Sequence, residues 1–298
     1  MKKGFLYNIR RKMQVAFIKL TSVETVSKKY FKIVLHKKLD LKNPSSFNEK
    51  VQWLKIYYLP YNELAIKCSD KYLVREYVSE CGLENNLAEL IGVYNNANEI
   101  KWDSLPEKYV LKCNHGCRYN VVVTDKKSIN PIKETKKLNK WLKEKFGYFN
   151  GEIHYNKIKP KIICEKYLGD NLSEFKLYCL NGKVKFMYCV VNPNKENEME
   201  TFFDGQGKIL DVKNALNPIY SEAKAPDCYN QLVEMSEKLA KPFPLVRVDW
   251  YIKDGNIYFG ELTFTPFGGL LKFDPDKYDD IFGEMLDISE LVVNKNAK

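Results

Sequence analysis

The 298 residues, 45% hydrophobic and 13% aromatic, suffice for a core divided over about two domains and exclude a chain disordered throughout. Charged residues make up 29% and the formal net charge is +10. The expected partners are therefore acidic: nucleic acid, an anionic membrane surface, nucleotide phosphates, or a glycan bearing uronic acid or phosphate.

The first segment, "MKKGFLYNIRRKMQVAFIKL", places Phe5, Leu6, Ile9, Met13, Ala16, Phe17 and Leu20 on one helical face, with Arg10, Arg11, Lys12 and Lys19 mostly elsewhere. Such a helix suits peripheral contact of residues 1–20 with an anionic membrane, or packing on its own domain with a solvated basic face. No apolar run approaches the roughly 18 residues of a membrane span. The eight cysteines are scattered and no cleavable signal pattern precedes them, so reduced thiols in a cytoplasmic protein are expected.

Up to about Glu99 the signals are helical. "SFNEKVQWLKIYY" follows Ser46 with Glu49 three residues on, a capping-box spacing, and "SDKYLVREYVSECG" reads as a helix starting after Ser69 and stopping near Gly82. From "EKYVLKCNHGCRYNVVVTD" onward short β-rich runs take over, interrupted by the amphipathic "IKETKKLNKWLKEKF". Cys113 and Cys117 flank His115 there, but no second Cys/His pair with ligand spacing follows to complete a zinc site. Lys112 on a strand, followed by a polar loop with Gly116, can set an ammonium and backbone N–H groups around phosphate oxygens. No Walker A or G-x-G-x-x-G pattern occurs.

"KIICEKYL" is a further strand, and Asn181-Gly182 in "FKLYCLNGKVKFMYCVV" is a strong hairpin signal. "YNQLVEMSEKLA" is a helix ending before Pro242 and Pro244. In "VRVDWYIKDGNIYFGELTF", a three-residue "DGN" loop sets Asp249 directly across from Glu261. Arg247, Asp249 and Tyr251 then share a face with Thr263, Glu261 and Phe259, while Val246, Val248 and Trp250 point the other way. Facing carboxylates repel, and either a divalent cation such as Mg²⁺ or a neighbouring Arg247 or lysine must offset that. The expected fold class is α+β, with antiparallel hairpins after a helix-rich preamble.

In this order, "LKNPSSFNEKVQWLKIYY", "SDKYLVREYV", "YVLKCNHG", "KLNKWL", "KPKIICEKYL", "FKLYCLNGKVKF", "FPLVRVDWY" and "IYFGELTFTPFGG" resemble the TupA-like ATP-grasp family, associated with teichuronopeptide-type and capsular glycan biosynthesis. The order is also similar to D-alanine:D-alanine ligases. The resemblance implies two α+β subdomains gripping ATP. Its divisions are a basic segment (1–38), a helix-rich domain (39–105), a first ATP-grasp subdomain with a phosphate loop (106–168) and a second with a metal-binding hairpin (169–298).

It implies that Lys71 and Lys112 hold ATP phosphates beside the loop of His115 and Gly116. By the same resemblance Glu165, Lys166, Tyr167 and Leu168 meet adenine, and Glu174 binds the ribose. Asp249 and Glu261 would ligate Mg²⁺, expected as two ions, and Arg247 would steady the transferred phosphate. Thr263 stands where an asparagine ligand is usual, and Cys117, Arg118 and Tyr119 where the loop usually has glycine.

The activity so implied is ATP- and Mg²⁺-dependent carboxylate–amine ligation through an acyl phosphate, under a mobile loop around Asn114–Asn120. The expected substrates are a uronic acid of a cell-surface glycan or its precursor and an amino acid or amino alcohol, met at the inner membrane face. A glycan or small-molecule kinase and a short-peptide ligase are the alternatives. A nucleic-acid binder is not expected, because the basic residues look widely spread and no RRM, KH or zinc-finger pattern occurs.

Overall fold

The computed structural model describes residues 2–170, 172–191, 199–215, 217–220 and 222–296; side chains of 2–9, 191 and 296 lie outside the description, and with them the predicted face positions Phe5, Leu6 and Ile9. The chain opens with α1 (Lys2–Leu20) and α2 (Val23–Leu35), then α3 (Phe47–Tyr57), α4 (Glu63–Ser69) and α5 (Val74–Glu80). The strands β1 (Leu90–Tyr94), β2 (Tyr109–Cys113) and β3 (Asn120–Val123) lead to α6 (Pro131–Leu142), α7 (Gly147–Asn150) and β4 (Ile162–Lys166). Next come β5 (Ser173–Leu180), β6 (Lys183–Val191), β7 (Met199–Asp204), β8 (Lys213–Asn214) and α8 (Tyr229–Ala240). Finally, β9 (Leu245–Lys253), β10 (Asn256–Thr263) and β11 (Phe273–Asp274) precede α9 (Lys277–Glu284) and α10 (Ser289–Asn296).

The class is α+β, as expected. One antiparallel sheet runs β1-β4-β2-β3, a second runs β10-β9-β5-β6-β7, and β11 pairs with β8. The first sheet includes β1, which falls before residue 105 in the stretch expected to be helical, and pairs Leu90–Tyr94 with β4. "LIGVY" carried the β-branched signal for it.

Alternation along the five-stranded sheet builds two cores. Phe175, Leu177 and Cys179 of β5 and Val246, Val248 and Trp250 of β9 face α8 with Leu232, Met235 and Leu239. Tyr178, Phe186, Tyr188 and Phe202 on the other face pack with Phe47, Leu54 and Phe282 from α3 and α9. The capping box forms as predicted, Ser46 Oγ accepting from Glu49 N at 3.3 Å and Glu49 Oε2 from Ser46 N at 3.2 Å. Asn181 and Gly182 take positive φ in the two-residue turn between β5 and β6.

Two local departures position the site. The helix expected from Ser69 begins only at Val74, because Asp70 Oδ1 accepts from the amides of Tyr72 and Leu73 at 2.7 and 3.2 Å and holds the chain in a turn that presents Lys71. The β9–β10 loop is a two-residue turn, with Asp254 and Gly255 both at positive φ and Lys253 opposite Asn256, rather than the three-residue loop expected. Uninterrupted, that register would set Glu261 opposite Val248, in the core. A bulge between Phe259 and Glu261 intervenes, and Glu261 lands opposite Asp249 after all.

The bulge also reverses which residues face inward: Ile257 and Phe259 join the core before it, Leu262 and Phe264 after it. Phe259 therefore packs on Trp250, ring centroids 5.8 Å apart, and does not project with Glu261 as expected. Gly260 makes this possible. A Cβ there would sit 2.9 Å from the Asp249 carbonyl oxygen and 3.0 Å from the Tyr251 ring.

Candidate active site

Between the two sheets lies a cavity of about 370 Å³, lined by charged groups (Lys71, Arg75, Lys112, Arg118, Lys176, Arg247; Glu165, Glu174, Asp249, Glu261) and by Val74, Leu87, Ile163 and Phe259. Most of the charged groups arrive on a strand, while Arg75 is on α5, Lys71 in the turn before it and Arg118 in the loop after β2. Lys112 is on β2, Glu165 on β4, Glu174 and Lys176 on β5, Arg247 and Asp249 on β9, and Glu261 beyond the bulge on β10.

The carboxylates are neutralised by the protein's own cations. Arg247 donates through Nε and Nη2 to the two oxygens of Asp249, both at 2.7 Å. Lys176, directly across from Asp249 in the β5–β9 register, donates to Oδ2 at 2.9 Å and to Glu174 at 2.5 Å. Lys71 donates to Glu261 Oε2 at 2.9 Å, and Thr263, which accepts from Arg247 at 3.1 Å, donates to Glu261 Oε1 at 2.9 Å. Burial alone would raise the Glu261 carboxyl, but Lys71 and Arg247 hold it well below the ordinary carboxylate range. Burial would likewise lower Lys71 and Lys176, and Glu261 and Asp249 respectively keep both above the ordinary lysine value. Glu261, Lys71 and Lys176 are thus charged near neutrality.

A second ionic cluster centres on buried Glu165, which accepts from Arg75 at 2.9 Å and Lys112 at 2.6 Å; Arg75 also donates to the Ala88 carbonyl at 2.7 Å. The structure thus gathers Lys71, Lys112, Glu165, Glu174, Arg247, Asp249 and Glu261 around one cavity, with Thr263 bonded beside them. It adds Lys176 and Arg75, which the sequence reading did not single out. For Lys176 a signal existed, a cation between Glu174 and Tyr178 on the polar face of an otherwise apolar strand.

Other predicted residues lie away from the cavity. His115 is buried, its Nε2 3.2 Å from the Trp141 carbonyl oxygen, and burial holds it below the ordinary histidine value. Gly116 is needed for packing, since a Cβ would meet the Phe146 ring at 2.7 Å. The two cysteines around His115 diverge, Cys113 into the core and Cys117 to the cavity, so the three hold no common ion.

The loop expected to move is pinned at both ends. Asn114 bonds Asp70 at 2.8 Å and the backbone of Lys159 and Lys161 at 3.0 and 2.6 Å, and Tyr119 stacks on Trp141. Only Cys117 and Arg118, the latter at positive φ, stand exposed between them. Lys166, at the end of β4, is exposed 3.4 Å from Glu89, while on the link from β4 to β5 that joins the two sheets Tyr167 bonds Asp170 and Leu168 is half-buried.

A metal would find two carboxylates and a hydroxyl on one face in Asp249, Glu261 and Thr263. That is the hard-oxygen set of Mg²⁺, which takes one or two carboxylates and completes its shell from phosphate and water. Among the described residues no three His, Cys, Asp or Glu side chains converge as a self-sufficient metal centre. The residues present fit an ion that arrives with its phosphates.

Comparison with known sequences gives one family match, to the TupA-like ATP-grasp model over residues 49–287. The chain belongs to this family. As a TupA-like ATP-grasp protein it is an enzyme of the ATP-grasp fold, and the paired sheets with the cavity between them are that fold's parts. No curated protein sequence matches it. Among solved structures it is similar to D-alanine–D-alanine ligase from Bacillus anthracis, with 16% identity, 85% of this chain and 73% of that chain covered, and a TM-score of 0.49. It is also similar to the Helicobacter pylori D-alanine–D-alanine ligase, with 17% identity, 82% and 70% coverage and a TM-score of 0.42. A third is N5-carboxyaminoimidazole synthetase from Staphylococcus aureus complexed with ADP, with 15% identity, 73% and 52% coverage and a TM-score of 0.38.

Proposed function

We propose that this TupA-like ATP-grasp enzyme joins a carboxylate to an amine at the expense of ATP. The observation that carries the reading is the meeting, around one cavity, of Lys71, Lys112 and Arg247 with the paired carboxylates Asp249 and Glu261. Lys71 and Lys112 hold the phosphates, giving up part of their bonds to Glu261 and Glu165. Glu165 meets the adenine from β4, with Ile163, Leu87 and Val74 as apolar surface, and Glu174 binds the ribose hydroxyls. Asp249, Glu261 and Thr263 hold Mg²⁺, as two ions, which when bound neutralise the β- and γ-phosphate charge.

The substrate carboxylate oxygen attacks the γ-phosphorus and ADP leaves; the amine then attacks the acyl carbon, phosphate departs with that oxygen, and the amine loses a proton. Arg247, fixed by its two bonds to Asp249, stabilises the negative charge that develops on the transferred phosphoryl group and the acyl oxygen. The proposed carboxylate is a uronic acid of a cell-surface glycan or its precursor, and the amine an amino acid or amino alcohol. The work is placed at the inner membrane face. Among the described residues no helix is long and apolar enough to cross a membrane.

Substrate labelled with ¹⁸O in its carboxylate tests the chemistry. Ligation transfers one label to inorganic phosphate and yields an amide. A phosphorylated product accumulating without amine, with no inorganic phosphate released, would identify a kinase instead.

A further inference from the structure

The chain's net charge is not spread along it. Residues 1–38 contain eleven lysines and arginines against the single acid Glu24, a net +10, and residues 39–298 contain 37 basic and 37 acidic residues. The whole excess charge therefore sits on α1, α2 and the turn after α2, before the family match begins at residue 49. This corrects the impression of widely spread charge.

The two helices form a fixed platform rather than a loose tail. Gln14 donates to the Tyr30 hydroxyl at 3.2 Å, the Lys29 ammonium lies 4.5 Å from the centre of the Phe17 ring, and the Arg11 guanidinium lies 3.7 Å from that of Phe149 on α7. Ile18, Val26 and Phe31 are buried beneath. What remains outside has a consistent pattern. On α1 the exposed residues Lys12, Met13, Ala16, Lys19 and Leu20 recur at helical spacing, and on α2 so do Lys28, Lys29, Lys32 and Ile33. Met13 is 66%, Leu20 84% and Ile33 56% exposed, so large apolar side chains stand among the lysines.

We propose that the α1–α2 platform docks the enzyme on an anionic lipid bilayer. Lysines and arginines draw it to acidic headgroups, while Met13, Leu20 and Ile33 enter the headgroup boundary, where an apolar side chain gains by leaving water. A soluble polyanion would use the lysines and leave those apolar groups in water. The exposed apolar residues therefore favour the bilayer. The platform is separate from the cavity residues, and membrane docking and ligation stand or fall independently.

The test is sedimentation of the full chain with vesicles of phosphatidylcholine alone or mixed with phosphatidylglycerol, alongside binding to heparin as a soluble polyanion. Binding is expected on the mixed vesicles only, weakening as salt rises. Lys12→Gln/Lys29→Gln/Lys32→Gln should weaken it about a hundredfold, at roughly a fivefold loss per charge. Met13→Gln/Leu20→Gln, which removes the apolar groups without changing the charge, should lose vesicle binding while keeping any heparin binding, and both variants should release ADP in solution as the parent does. No binding to mixed vesicles would overturn the proposal. Vesicle binding unaffected by Met13→Gln/Leu20→Gln would overturn it too, and make the platform a site for a soluble polyanion.

Discussion

Replacing Gly260 by alanine tests the geometric basis of the site. The new Cβ would stand 2.9 Å from the backbone oxygen of Asp249 and 3.0 Å from the Tyr251 ring, and backbone cannot turn aside as the end of a side chain can. Overpacking of this kind costs about 1–3 kcal/mol, which would lower Tm by on the order of 5 °C. The strands relieve the contact only by parting or by losing the bulge. Either movement separates Glu261 from Asp249, so Mg²⁺-dependent nucleotide binding should fall with stability. Gly255→Ala is the control: its φ of +76° imposes strain, but nothing lies within 4 Å of the added Cβ. It should cost about 1 kcal/mol and leave binding unchanged. Urea unfolding and calorimetric titration with a non-hydrolysable ATP analogue and Mg²⁺ read both quantities. If Gly260→Ala matches the parent in stability and binding, the bulge does not set the carboxylate pair.

Other substitutions probe individual groups. Lys176→Met leaves Asp249 on Arg247 alone and should reduce turnover about a hundredfold with a smaller loss of stability; unchanged kcat would make Lys176 merely structural. His154 is fully buried with neither ring nitrogen bonded, and burial lowers its pKa to about 3. The unfolded chain therefore takes up a proton at the ordinary histidine pKa that the folded chain refuses, so stability is lost as pH falls from about 6.5 towards 3. His154→Phe should flatten that acid limb in urea midpoints, and an unchanged limb would refute the assignment. Lys55, buried with Asn150 and Gly268 carbonyls 3.2 and 3.4 Å away, has its pKa lowered by burial to about 8. The unfolded chain then holds more protons between about pH 8 and 10.5, so the parent should gain stability over Lys55→Met as pH rises through that range. A difference that stays flat would contradict it.

Much of this fold was legible because local chemistry and tertiary structure agree. Ser46 with Glu49 and Asn181-Gly182 each specify one backbone outcome, and the helix Tyr229–Ala240 follows directly from its apolar spacing. The Asp249–Glu261 pairing was reached through a wrong turn, and a bulge supplied the missing residue. That bulge was visible in principle: apolar residues fall at 257 and 259, then at 262 and 264, with a glycine at the change of phase. Side-chain direction was less accessible. A histidine in a polar loop reads alike whether it turns to a ligand or, as His115 does, to a carbonyl beneath it. Arg75 could not be read as a partner of Glu165, because ninety residues separate them in sequence.

The central claim is that the paired carboxylates between the sheets carry Mg²⁺ and ATP for ligation. ADP release, followed while Mg²⁺ is titrated in a screen of uronic-acid and amine pairs, tests it most directly when parent, Asp249→Asn and Glu261→Gln enzymes are compared. The account predicts sustained, multiple-turnover release by the parent only with Mg²⁺ and both substrates present, and a loss of at least about a hundredfold in each variant. Sustained release without the amine, or release at the parent's rate in both variants, would contradict it.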